Sequence, residues 1–237
     1  MRKSIAALIG IGAVLLIFVF YFSKNNDDTE KLTEERSAKS AEVKPDTANK
    51  FDPFKTTTDE PPNSVKYIVN TDSSIVNWSI SRHKGYVKFE EGYLSVLNNE
   101  LTGGIFYVAM DSIKDVDIDY KLMKTVLEKV LKSPEFFNTR KYPTSAFKIE
   151  NLRKIGPDKY LVSGYMKIFD KIRNIKFKVE VNIKKDTLRA TTDKFFIDRT
   201  KWGLTAYSKN YVQQDTSFVV PDSIGFVIKI LAVKSEK

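Results

Sequence analysis

The sequence predicts an all-β domain of antiparallel strands with a single α-helix packed on it, set behind an apolar N-terminal segment and a charged linker. Three observations carry this expectation. Between Val76 and Ile230, segment after segment places apolar residues at every second position, the period of a half-buried strand. Only Tyr120 to Lys132 changes to the helical period. Ile5 to Phe22 carries no charged residue at all.

Met1-Arg2-Lys3 leads into Ile5 to Phe22, whose 18 residues would cover ~27 Å as a helix and so span a bilayer. A cleaved secretory signal would have a shorter apolar core, about 7–15 residues, followed by a small-x-small site. Here Phe18-Val19-Phe20-Tyr21-Phe22 runs straight into Ser23-Lys24-Asn25-Asn26-Asp27-Asp28. The expectation is an uncleaved transmembrane anchor over residues 1–23, with cleavage as the alternative. Arg2 and Lys3 would hold the N-terminus in the cytoplasm and leave the rest of the chain outside it, periplasmic or at the cell surface.

Residues 24–63 read as a flexible linker. They hold 7 basic and 10 acidic residues and prolines at Pro45, Pro53, Pro61 and Pro62, a composition that cannot build a core. As a coil they would reach ~35 Å. Phe51-Asp52-Pro53-Phe54 is their one apolar interruption, read as incidental, with docking on the domain as the alternative.

Residues 64–237 are long enough for one domain with a sizeable core. Strand alternation is seen at Val76, Trp78 and Ile80; Val87 and Phe89; Ile105 and Tyr107; Phe147 and Ile149; Val162, Gly164, Met166 and Ile168; and Ile224, Phe226, Ile228 and Ile230. It is clearest at Ile175, Phe177, Val179, Val181 and Ile183, interleaved with Lys176, Lys178, Glu180 and Asn182. Turn residues Asn98-Asn99 and Gly156-Pro157-Asp158 separate such runs. The helix presents Leu122, Met123, Val126, Leu127 and Val130 on one face, and Pro134 stops it. So many short strands must close into a barrel or stack to hide their edges.

The net charge of +9 sits in the folded part, where 30 basic and 20 acidic residues leave an excess of 10. Lysines on the solvent faces of strands are the expected source, with a patch for anionic lipid or nucleic acid as the alternative, and an extracytoplasmic domain is not expected to meet nucleic acid. The chain has no cysteine, which excludes disulfides, cysteine-ligated metals, thiol nucleophiles and a lipid anchor on cysteine. His83 is the only histidine, and no G-x-S-x-G, H-E-x-x-H or phosphate-cradling loop accompanies it. Asp115-Val116-Asp117-Ile118-Asp119 has the first spacings of a calcium loop, but Tyr120 and Val126 replace the required glycine and glutamate. It reads as a solvated end of a strand or start of a helix. No catalytic residue, metal ligand or cofactor is therefore expected. Asp198-Arg199 reads as a structural ion pair or as a contact to a lipid head group.

Leu131-Lys132-Ser133-Pro134-Glu135-Phe136-Phe137, followed by Lys141-Tyr142-Pro143 and Phe147-Lys148, resembles the YceI-like family of extracytoplasmic lipid-binding proteins. Tyr67-Ile68-Val69, His83-Lys84-Gly85, Gly103-Gly104, Asp111-Ser112-Ile113, the hairpin from Gly164 to Val179, Phe196-Ile197-Asp198-Arg199-Thr200 and Trp202-Gly203 extend the likeness over most of residues 64–233. The chain departs from the family pattern at Val130, where relatives commonly have histidine, and at Asp170 and Asn174, where they have the hairpin glycine and proline. The resemblance implies an elongated, lipocalin-like β-barrel of about eight antiparallel strands, associated with polyisoprenoid or fatty-acid-like lipids. Phe136, Phe137 and Tyr142 would anchor the loop after the helix. On this reading Trp78, Phe89, Phe147, Met166, Ile168, Phe177, Val179, Val181, Phe226 and Ile228 line a lipid tunnel, and His83 and Arg199 meet a head group. The expected partners are a long-chain lipid and, through the N-terminal helix, a membrane, with a homodimer left open. The alternative is an interaction module of the same fold, its barrel filled by its own side chains.

Overall fold

A computed structural model of the chain describes residues 52–54, 60–211 and 219–236. The expected anchor over residues 1–23 and most of the linker lie outside the described residues. Among those described, no helix is long and apolar enough to cross a membrane. The compact unit considered below runs from Pro53 to Lys237.

Its strands are β1 (Val65–Val69), β2 (Ile75–Ile80), β3 (His83–Leu97), β4 (Glu100–Asp115), β5 (Thr144–Lys154), β6 (Lys159–Ile168), β7 (Lys171–Lys184), β8 (Thr187–Thr192), β9 (Phe195–Asp198) and β10 (Ser223–Lys234). One helix, α1 (Lys121–Lys132), lies between β4 and β5. Every pairing is antiparallel. Strands β3 to β8 pair in chain order, and β10 closes the sheet on itself by pairing β2 on one side and β8 on the other. β1 and β2 share one position between β3 and β10, and β8 and β9 share another along β10. The ring therefore has eight positions, and closure removes the exposed edges that short strands would otherwise present.

Local sequence explains the connections. Asn98 and Asn99 both have positive φ, 52° and 64°, and join Leu97 to Glu100 in the two-residue hairpin whose twist matches the strands. In the β6–β7 hairpin it is Phe169, with φ 58°, that takes the left-handed conformation, between Ile168 and Lys171. Its ring is held by Tyr142 and Phe137, with centroids 5.1 and 6.5 Å away. Asn174 does not belong to this turn. It lies within β7 opposite Tyr165 and donates to Glu150 Oε2 at 2.8 Å.

Alternation along β7 is as the sequence predicts: Phe177, Val179 and Val181 are buried, and Lys176, Lys178, Glu180 and Asn182 are exposed. β4 differs. Its inner face carries Phe106, Val108 and Met110, so Ile105 and Tyr107 stand on the outer parity. Both parities of Gly104-Ile105-Phe106-Tyr107-Val108 are compatible with burial, and polarity alone does not choose between them. In β3 a register shift between Phe89 and Glu91 moves the inner set from Val87 and Phe89 to Leu94 and Val96, as a bulge does.

Helix α1 begins one residue later than the periodicity suggests and ends before Ser133, whose hydroxyl donates to Val130 O at 2.7 Å. None of its residues is fully buried, and Leu122 is 63 % exposed. Leu127 and Leu131, one turn apart, are the side chains that reach the barrel interior. Glu128 fixes the helix to the end of β4, bonding Lys114 Nζ at 2.8 Å and accepting from Asp115 N at 3.2 Å.

Two glycines let aromatic rings lie flat on the wall. A methyl group on Gly85 would overlap the Lys114 carbonyl oxygen and the Trp78 ring; on Gly164 it would overlap the Lys148 carbonyl oxygen and the Phe147 ring. Gly85→Ala is expected to cost roughly 1–3 kcal/mol through overpacking, measured by urea unfolding. An unchanged midpoint would show that both the Lys114 carbonyl and the Trp78 ring move aside freely.

Candidate lipid-binding site

The barrel holds a partly open cavity of about 260 Å³. Its wall is built from the inner faces of the strands and is closed at one end by Leu127, Leu131, Phe136 and Phe137 from α1 and the loop behind it. All ten residues named from the sequence, Trp78, Phe89, Phe147, Met166, Ile168, Phe177, Val179, Val181, Phe226 and Ile228, stand on this wall. Phe106 and Phe195 also belong to it and escaped the sequence reading. With them the phenylalanines form a continuous row: Phe89, Phe106, Phe147, Phe177, Phe195 and Phe226, with successive centroids 6.1, 6.5, 5.3, 4.5 and 5.7 Å apart. Such spacings are those of interacting rings.

Phe136, Phe137 and Tyr142 do more than anchor their loop. Phe137 and Tyr142 pack on Phe169, and Phe136 stacks on Tyr207 at 6.1 Å, but Phe136 and Phe137 also face the cavity. The two adjacent phenylalanines thus serve as its end wall.

Polar side chains on the wall are few: His83, Ser145, Thr192 and Arg199. The Trp78 indole N–H is buried with no acceptor among the described residues, and a buried donor left unpaired is costly.

Arg199 has its charge engaged within the protein. Its side chain is 3 % exposed; Nε donates to Pro221 O at 3.0 Å, Nη1 to Leu204 O at 2.6 Å and Nη2 to Val220 O at 2.9 Å. Asp222 Oδ1 lies 3.3 Å from Nη2. Burial pulls the guanidinium pKa down, with Asp222 and then Asp198 opposing it. The ion-pair partner is therefore Asp222, not the adjacent Asp198. Asp198 instead caps the short 3-10 turn Arg199–Trp202, accepting from Thr200 N at 3.0 Å and Thr200 Oγ1 at 2.6 Å. Those hydrogen bonds hold its carboxyl below the usual range. Gly203, with φ 86°, ends the turn.

His83 has company that the sequence hid. Its Nδ1 is 3.2 Å from Asp117 Oδ2 and 4.0 Å from Asp115 Oδ2. Gly85 pairs with Asp115 across β3 and β4, and continuing that register sets His83 opposite Asp117. Asp115 is not the solvated strand end expected but fully buried.

A closed eight-position antiparallel barrel, capped by one helix and walled by apolar side chains, is the architecture implied by the Phe136-Phe137 and Tyr142-Pro143 elements. Residues 67–231 match the YceI-like domain. The chain belongs to the YceI-like family. Among the solved structures that share its fold are two bacterial proteins. BcnA from Burkholderia cenocepacia superposes with a TM-score of 0.57 at 17% identity, over 70% of this chain and 99% of its own. A polyisoprenoid binding domain from Saccharophagus degradans, implicated in plant cell wall breakdown, gives 0.50 at 12% identity, over 71% and 98%. No curated protein matches the chain.

Proposed function

We propose that this YceI-like protein binds a long-chain apolar lipid, polyisoprenoid or fatty-acid-like, inside the barrel without transforming it. The observation that carries the reading is the partly open cavity itself, whose wall is apolar apart from four side chains. Each CH₂ moved from water into such a wall contributes about 0.8 kcal/mol, before the cost of ordering the chain. Membership of a lipid-associated family supports it, and the polyisoprenoid class extends to this chain what the name of the Saccharophagus degradans domain says of that protein. The head group would lie near His83, a polar side chain on the wall; Arg199 is held by three carbonyls and Asp222. Ile5 to Phe22 would tether the barrel to a membrane, with the barrel outside the cytoplasm.

Solvent extracts of gently purified protein, read by mass spectrometry, should contain a long-chain lipid in near-stoichiometric amount. Val179→Trp tests the location. Val179 faces the cavity, so the indole should displace lipid while the melting temperature of the delipidated protein changes little; Lys178→Trp, facing solvent, is the control. Severe destabilisation of Val179→Trp, with no lipid ever found in the wild type, would mean a barrel filled by its own side chains. The tether is checked separately: full-length protein should stay with membranes through carbonate washing, and release into the supernatant would remove the anchor.

A further inference from the structure

We propose that His83, Asp115 and Asp117 form a binding site for a divalent transition ion of the Zn²⁺ type at the helix-capped end of the barrel. One ligand atom from each residue can be chosen so that all three lie within 4.8 Å of one another. Ligands of a tetrahedral zinc ion, ~2.0–2.2 Å from the metal, stand ~3.3–3.6 Å apart. The observed separations of 3.2 and 4.0 Å from His83 Nδ1 bracket that range, so small side-chain adjustments suffice.

The carboxylates are already oriented for this. Asp115 Oδ1 accepts from Asp117 N at 3.2 Å and Ile118 N at 2.9 Å, and Asp117 Oδ1 accepts from Lys84 N at 2.7 Å. Backbone donors therefore fix one oxygen of each carboxylate and leave the other, Oδ2, turned toward the imidazole. This is how the outer shell of a metal site holds its ligands.

Asp115 supplies the independent sign of a missing partner. Its side chain is 0 % exposed, and its Oδ2 is buried with no hydrogen-bond partner among the described residues. A buried carboxylate oxygen without a donor is strongly disfavoured. Lys114, the nearest lysine in sequence, is engaged with Glu128 at 2.8 Å. An ion bound by Asp115, Asp117 and His83 would satisfy that oxygen and clip the start of β3 to the segment after β4. The imidazole nitrogen favours a transition ion over calcium, which takes oxygen ligands. His83 also stands on the cavity wall, so the bound ion would lie beside the head group of any occupant.

The test uses full-length protein in detergent, prepared without a histidine tag and stripped with EDTA. ZnCl₂ and CaCl₂ are added separately, bound metal is counted by atomic absorption after gel filtration, and the melting temperature is followed. The expected result is one zinc per chain, a raised melting temperature with zinc and no response to calcium. His83→Gln and Asp117→Asn should each weaken zinc binding about a hundredfold or more, beyond the loss typical of an outer-shell change. His83 is 29 % exposed and unique in the chain, so His83→Gln decides the matter even if the aspartate variant misfolds. Zinc binding undiminished in His83→Gln, a calcium response without a zinc response, or no zinc retained by the wild type overturns the site. The last result would leave an imidazole–carboxylate contact only.

Discussion

Arg199→Met is expected to destabilise the barrel by roughly 3–5 kcal/mol, the range for removing one partner of a buried ion pair. Methionine fills similar space, so the loss comes from polar groups left behind and not from a void. The carbonyls of Leu204, Val220 and Pro221 lose their donors, and Asp222 loses the charge 3.3 Å from its Oδ1. Ser208 and Asn210 still donate to Asp222 Oδ2, at 2.9 and 3.1 Å, but neither carries a positive charge. The guanidinium joins the turn after β9 to Val220 and Pro221, just before β10. Its removal should therefore release both ends of that connection together. Urea unfolding measures the loss, and Arg199→Lys should recover only part of it, because a single ammonium cannot reproduce the planar fork. A cost below about 1 kcal/mol would mean that water replaces the guanidinium at these carbonyls.

The features legible in the sequence are those whose signal lies within one strand. Ile175 to Ile183 alternates with charged residues, so only one parity can face inward, and the wall residues Phe177, Val179 and Val181 follow. In β6 and β10 the opposite parity is less polar, with Leu161 and Tyr165 in the one and Val227 and Leu231 in the other, yet Val162, Met166, Ile168, Phe226 and Ile228 do stand on the cavity wall. Where both parities are apolar, as from Ile105 to Val108, period two is silent, and Phe106 was missed for that reason. Phe195 was hidden by Phe196 beside it, one ring buried and the other exposed. Contacts that depend on register or on distant chain were less accessible still. Nothing local says that His83 faces Asp117, or that Arg199 pairs with Asp222 in preference to its neighbour Asp198. The exposure of Leu122 has a similar cause: helical period defines a face, but the turn of that face that meets the barrel is set by where β4 ends.

Phe177→Ala should cost about 3–5 kcal/mol in the delipidated protein, the usual range for removing a buried aromatic ring. Phe177 is near the middle of the phenylalanine row, stacked on Phe195 at 4.5 Å and 14° and tilted against Phe147 at 5.3 Å. Neither neighbour can readily close the gap. Phe147 lies over Gly164, and Phe195 is buried on β9, whose pairing with β10 fixes its place. The space vacated by the ring therefore joins the existing cavity, and the loss should approach the full transfer and cavity terms. Phe177→Leu should cost less, because it retains most of the apolar volume. A double-mutant cycle isolates the stack: Phe177→Leu and Phe195→Leu, alone and together, should show a coupling of about 0.5–1.5 kcal/mol. If Phe177→Ala instead costs under about 1 kcal/mol while the coupling vanishes, the row is a set of loosely held rings. The cavity would then be shaped by its occupant and not by the wall.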